Sequence, residues 1–153
     1  MLAAVEWTLS SGGNGHSYEV VQQALSWQSA KTAAESRGGY LATVTSAAEQ
    51  AFIQSLGSGS AWLGGYQDRA SSAYSEPSGG WRWVTSEPWS YTYWDPREPN
   101  NSNGEDFLEL AYGGDYAGKW NDSGSVTFPF IVEYDGTAAP TGLAATVASA
   151  SQV

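Results

Sequence analysis

The chain has no cysteine, one histidine, one methionine and only six lysines and arginines. Without thiols there is no disulfide framework, and the redox compartment stays open. With a single imidazole and no thiolate, a zinc or copper centre is disfavoured. Sixteen Asp and Glu outweigh the six basic residues and give a formal net charge of −10. That argues against nucleic acid or an anionic membrane as partner. It suits a soluble protein in salt, or one that concentrates cations. No apolar run approaches the roughly 20 residues of a membrane helix, so no membrane insertion is expected. The start, Met1-Leu2-Ala3-Ala4-Val5-Glu6, is too short and lacks the basic flank of a signal peptide. An excised fragment carrying an added Met1 is the expectation. At 153 residues the chain has room for one domain and a tail, and that domain can bury a core without disulfides.

What the chain does have is aromatic and carboxylate-rich. Eight Trp and nine Tyr are many for this length, and most of them read as core and loop packing. Glu98-Pro99-Asn100, then Glu105, then Trp120-Asn121-Asp122 bring three carboxylates and two side-chain amides into one stretch. Hard oxygens of this kind suit Ca2+, which takes about six to eight oxygen ligands at roughly 2.3–2.6 Å. A carboxylate can give one oxygen to an ion and accept a ligand hydroxyl with the other. An amide can bind through its oxygen and donate through its nitrogen.

The local patterns place these residues. Tyr18–Val20 and Ala24–Ser26 alternate like strands. Ser26–Ser36 reads as a helix with Trp27, Ala30 and Ala34 on one stripe, stopped by Gly38-Gly39. Tyr40–Val44 reads as a short buried strand. Ser46-Ala47-Ala48-Glu49 fits a capping box, with Ala48, Phe52, Ile53 and Leu56 as the apolar face of a second helix. Ala61–Gly64, Trp81–Val84, Phe107–Ala111, Lys119–Asn121 and Thr127–Tyr134 read as strands. Between Gly65 and Ala117 the chain is rich in Gly, Ser, Pro, Trp and Tyr. A stretch that long with so little structure is expected to be functional.

Order and spacing of these segments resemble the C-type lectin domain family over roughly residues 14–135. The resemblance rests on Glu-Pro-Asn at 98–100, Trp-Asn-Asp at 120–122, Trp27 with Ala30 and Ala34, Gly38–Ala42, Glu49 with Phe52, Ala61–Gly65 and Phe130–Tyr134. It implies an α+β fold: two helices, small antiparallel sheets and a long calcium-binding loop region. It implies Glu98, Asn100, Glu105, Asn121 and Asp122 as Ca2+ ligands, with a cis Glu98–Pro99 bond. Glu98, Asn100, Glu105 and Asn121 would also touch a sugar diol, and Glu-Pro-Asn resembles mannose-type readers rather than galactose-type ones. Asp68, Asn101 and Asp106, with Glu76 and Glu105, are candidates for an auxiliary metal site, a solvated acidic rim being the competing reading. Animal members carry two disulfides. Here Ala34, Phe107, Ser125 and Val132 stand at the expected half-cystines, which resembles the bacterial branch. Ala34 with Val132 can replace a bridge by packing.

The expected organisation is a flexible N-terminal lead at 1–13, the domain at 14–135, and a linker or the start of a truncated following domain at 136–153. The leading expectation is a Ca2+-dependent carbohydrate-binding module for mannose, fucose or glucose-type sugars on a cell or matrix surface. It would belong to a larger bacterial adhesin, extracellular or at the cell surface, with further domains of the parent chain as neighbours. The alternative is a protein- or surface-binding module with a structural Ca2+. Catalysis is not expected. Glu98 and Glu105 imitate a glycosidase pair, but ligation to an ion would keep both ionised and deny the chemistry its acid.

Overall fold

The computed structural model describes residues 3–136. The linker or following-domain expectation for the tail falls on residues 137–153 and lies outside the described residues. Strands β1 (Val5–Glu6), β2 (Ser17–Leu25), β3 (Tyr40–Leu41), β4 (Ala61–Gln67), β5 (Trp81–Trp83), β6 (Phe107–Leu110), β7 (Trp120–Ser123) and β8 (Phe128–Tyr134) alternate with helices α1 (Trp27–Ser36) and α2 (Ala47–Ser55). The sheet runs β1-β2-β8-β4-β6-β7, with β3 beside β8 and β5 beside β4. Most pairs are antiparallel. One parallel step, Trp62 opposite Phe130, joins what the sequence suggests as separate small sheets into eight strands. Residues 5–6, in the stretch expected to be a flexible lead, pair with Ser17 and Tyr18, and Trp7 stacks on Phe52.

Both helices start where side-chain oxygens cap them. Ser26 Oγ accepts from the Ser29 N–H at 3.2 Å, and Ser46 Oγ from the Glu49 N–H at 3.1 Å. Trp27, Ala30 and Ala34 form the buried stripe of α1, as the spacing predicts. After α1 the chain turns at Gly38 (φ +86°). A side chain at Gly39 would put its Cβ 2.5 Å from the Glu133 carbonyl, so the approach to β8 needs glycine.

The second helix departs from its apolar pattern. Its fully buried residues are Glu49, Gln50 and Ile53, while Phe52 and Leu56 are half-buried and Ala48 is exposed. The reason is polar. Glu49 Oε2 accepts from the Thr45 N–H at 2.7 Å, one residue before the cap, and Oε1 accepts from the Tyr18 hydroxyl at 2.6 Å. Gln50 Nε2 donates to the Gly118 carbonyl at 3.0 Å. Buried polar groups survive only when paired, and here the pairing rotates the helix.

Two apolar clusters fill the molecule. One gathers Trp27, Ala30, Ala34, Leu41, Trp62, Phe130 and Val132. Ala34 and Val132 are both fully buried in it, so packing stands in for the first bridge. Phe107 instead stacks on Trp27, with ring centroids 4.6 Å apart, and Ser125 is exposed. The other cluster contains Trp81, Trp83 and Trp120. Trp89 lies 4.6 Å from Trp83 and 5.7 Å from Trp120, while Trp94 lies 4.9 Å from Trp81. This indole cluster anchors the long loop region. Trp89 and Tyr91 pack their rings against Trp83 and Trp120.

Candidate functional site

Strand β7 forms one margin of the sheet. The segment from Glu98 to Glu105 folds against it, and Asp122 holds the two together. Asp122 is fully buried. Its Oδ1 accepts from the Asn100 N–H at 3.0 Å and its Oδ2 from the Asn101 N–H at 2.7 Å. The loop then closes on itself. Ser102 N–H donates to Asn100 Oδ1 at 2.7 Å and to Glu105 Oε2 at 3.0 Å, and Glu105 N–H donates to Asn101 Oδ1 at 2.7 Å. Asn101 and Asn103 adopt the left-handed region (φ +52° and +60°), which asparagine tolerates better than most residues. The Glu98–Pro99 peptide is cis.

Glu98, Asn100, Glu105 and Asp122 therefore meet around one loop. Asn121 precedes Asp122, and consecutive strand residues point to opposite faces. Its Nδ2 donates to Glu109 Oε2 at 2.9 Å, which Ser123 Oγ also reaches at 3.1 Å. Glu109 in turn acts on Glu105 through its charge. Asn121 is thus engaged by Glu109 on the face of β7 opposite Asp122, and among the described residues no hydrogen bond joins its side chain to Glu98, Asn100, Glu105 or Asp122.

The electrostatics are those of crowded anions. Burial raises the Glu105 carboxyl to about 7, and the charges of Asp122, Glu98 and Glu109 add to the shift. Burial raises Glu98 as well; Asp122 adds to this and the Tyr116 hydroxyl opposes it. Burial likewise raises Glu109 against the pull of Asn121 and Ser123. Glu98 Oε1 accepts from the Tyr116 hydroxyl at 2.7 Å, while Oε2 is buried and has no hydrogen-bond partner. An orphaned carboxylate oxygen beside a buried aspartate can be met by a cation or by a proton shared between the two carboxyls. All of the donors are hard oxygens, which suits Ca2+. Among the described residues no three His, Cys, Asp or Glu side chains gather closely enough to hold a metal by themselves. The amides of Asn100 and Asn121 would have to complete the set.

The auxiliary candidates are arranged differently. Asp68 pairs with Arg82 at 3.0 Å and Asp106 with Arg69 at 3.0 Å. Asn101 belongs to the Glu98–Glu105 loop, and Glu76 accepts from the Tyr74 hydroxyl. Guanidinium groups stand beside both aspartates, where the resemblance suggests an ion. Asp106 Oδ1 remains buried without a partner.

Sequence reading overlooked three residues of the site. Glu109 alternates with buried leucines in β6 and reads as an outward strand position. Gln50 sits in a helix whose apolar positions look sufficient. Tyr116 lies in a Gly-rich turn, and only its proximity to Glu98 gives it a role.

Comparison with known proteins places the fold. The family profile described as Lectin C-type domain matches residues 23–129. Halomucin of Haloquadratum walsbyi is 34% identical over 142 residues, spanning 80% of this chain and 1% of its own length. The chain spans about a quarter of the length of the animal lectins it matches. Among solved structures, the cow C-type carbohydrate-recognition domain of CD23, studied in the presence of GlcNAc2Man3 oligosaccharide, superposes with a TM-score of 0.71 at 24% identity. The match covers 90% of this chain and 96% of that one. A calcium-independent type II antifreeze protein superposes with a TM-score of 0.68 at 24% identity, covering 86% and 95%. At that identity the superpositions speak for the fold alone. The family profile speaks for more, because it takes in α1, α2, the long loop region and both halves of the site: this chain belongs to the C-type lectin domain family, whose members are binding proteins and not enzymes.

Proposed function

We propose that this protein is a Ca2+-dependent carbohydrate-binding module that reads the vicinal diol of mannose, fucose or glucose-type sugars. The observation that carries the reading is Glu98 Oε2, buried and unpartnered beside Asp122 in a loop that also holds Asn100 and Glu105. Glu98, Asn100, Glu105, Asn121 and Asp122 would hold the ion. Bound there, Ca2+ would offer open coordination positions to two adjacent hydroxyls. Glu98, Asn100, Glu105 and Asn121 would add hydrogen bonds to the same hydroxyls. The pairing of Asp68 and Asp106 with arginines supports one ion rather than two.

Such a module acts outside the cell or on its surface, within a larger adhesin, where glycans are met and several weak contacts add up. No helix among the described residues is long and apolar enough to cross a membrane. The carbohydrate partner is consistent with the oligosaccharide named for the CD23 structure.

A second reading has its own support. The loop is closed by its own hydrogen bonds, and a protein of similar fold is calcium-independent. In that reading the module binds a protein or another surface, and any ion is structural. Calorimetric titration with methyl mannoside, fucose and galactose, before and after chelation, separates the two. Calcium-dependent heat with mannose or fucose is the expected result. Calcium binding with no heat from any sugar would transfer the assignment to the second reading.

A further inference from the structure

Glu98 has two oxygens in unlike situations. Oε2 is buried and lacks a donor among the described residues, and the carboxyl lies beside Asp122. Oε1 already accepts a hydroxyl, that of Tyr116 at 2.7 Å. If the carboxylate gives Oε2 to the ion, Oε1 is the oxygen left for a ligand hydroxyl, and a protein hydroxyl occupies it.

Tyr116 does not rest there by chance. The Arg97 guanidinium lies over its ring, 4.9 Å from the centroid. Arg97 is itself fixed by Asp95, whose Oδ1 accepts from Nε at 2.7 Å and from the Arg97 N–H at 3.1 Å. Asp95 is buried, and its own N–H donates to the Trp120 carbonyl at 3.0 Å. The phenol is thus held on Glu98 by contacts that lead back to β7.

We infer that Tyr116 is an internal competitor for the site, its hydroxyl holding on Glu98 Oε1 the position that a sugar hydroxyl must take. The inference rests on the proposed sugar-binding reading. A ligand hydroxyl meets the half-exposed phenol on Oε1 and must displace it or crowd onto the remaining lone pair, and either outcome lowers the net gain of binding. Ion binding through Oε2 leaves the phenol in place. Tyr116 therefore sets sugar affinity without setting calcium affinity.

The test compares the protein with its Tyr116→Phe and Arg97→Gln variants, each titrated first with Ca2+ and then, at saturating Ca2+, with methyl mannoside and fucose. Matching thermal melts establish that the variants are folded. Removing the hydroxyl frees one acceptor on a charged group, so Tyr116→Phe should bind sugar about three- to tenfold more tightly. Its calcium affinity should stay within about twofold. Arg97→Gln, which loosens the ring without removing the hydroxyl, should give a smaller gain. Unchanged or weaker sugar binding by Tyr116→Phe, with the parent still binding sugar, overturns the competitor role alone. Absence of sugar binding by parent and variants alike, with Ca2+ still bound, overturns the sugar reading and the competitor role together.

Discussion

The indole N–H of Trp120 donates to Gln50 Oε1 at 2.9 Å, so α2 holds the strand that carries Asn121 and Asp122. The same glutamine amide spends its nitrogen on the Gly118 carbonyl at 3.0 Å. Replacing Gln50 with Leu would leave two buried backbone and indole groups unpaired. That should cost about 1–3 kcal/mol of folding stability, read in a urea melt. Calcium affinity should fall with it, because the start of β7 loses its support. Undiminished affinity would mean that the loop alone positions the ligands.

Protonation should act in opposite directions on the free and loaded forms. Glu105 rises from 4.5 to about 7 in the folded chain without an ion. An acid whose folded pKa is raised favours folding below its unfolded value, and that contribution is lost as pH rises through the folded value. The chelated protein should therefore gain melting temperature on going from pH 8 to pH 5. With Ca2+ the same change should lower it, since the ion requires ionised carboxylates. Glu98 and Glu109 shift in the same direction and reinforce the effect. Parallel curves with and without Ca2+ would count against the site.

Stoichiometry follows from the arginines. Arg69 on Asp106 and Arg82 on Asp68 already supply positive charge beside the auxiliary candidates. Calorimetry should give one Ca2+ per chain, and a Glu105→Ala variant should bind none at millimolar calcium. Two ions per chain would show that the guanidinium groups swing aside.

Exchanging donors and acceptors around the diol should change the sugar chosen. Glu98→Gln with Asn100→Asp keeps five oxygen-bearing side chains but reverses which flank of the site donates. Preference should move from mannose toward galactose, measured as a ratio of affinities at fixed Ca2+. The double variant also alters the bond from Tyr116, because a neutral amide oxygen replaces the carboxylate at 98.

Much of this was legible in the residues, and the parts that were not share a cause. The capping box at Ser46, the Trp27–Ala30–Ala34 stripe and the order of the strands follow from local sequence signals, and the structure carries them with shifts of a few residues. The cis Glu98–Pro99 peptide agrees with the family's pattern. Gln50, Glu109 and Tyr116 gain their roles from partners 70, 12 and 18 residues away. Their own neighbours in sequence give no sign of it. The same holds for the arginines on Asp68 and Asp106, where charge was visible but pairing was not.

The crowding of indoles around Trp120 has a practical consequence. Trp81, Trp83, Trp89, Trp94 and Trp120 lie ring against ring, and the last is bonded in sequence to Asn121. A divalent charge arriving beside Asp122 alters the field across that whole array at once. Under the proposed calcium reading, the protein carries its own optical gauge. Its intrinsic fluorescence should follow occupancy of the neighbouring carboxylates without any label, fast enough for stopped-flow records of the ion coming and going.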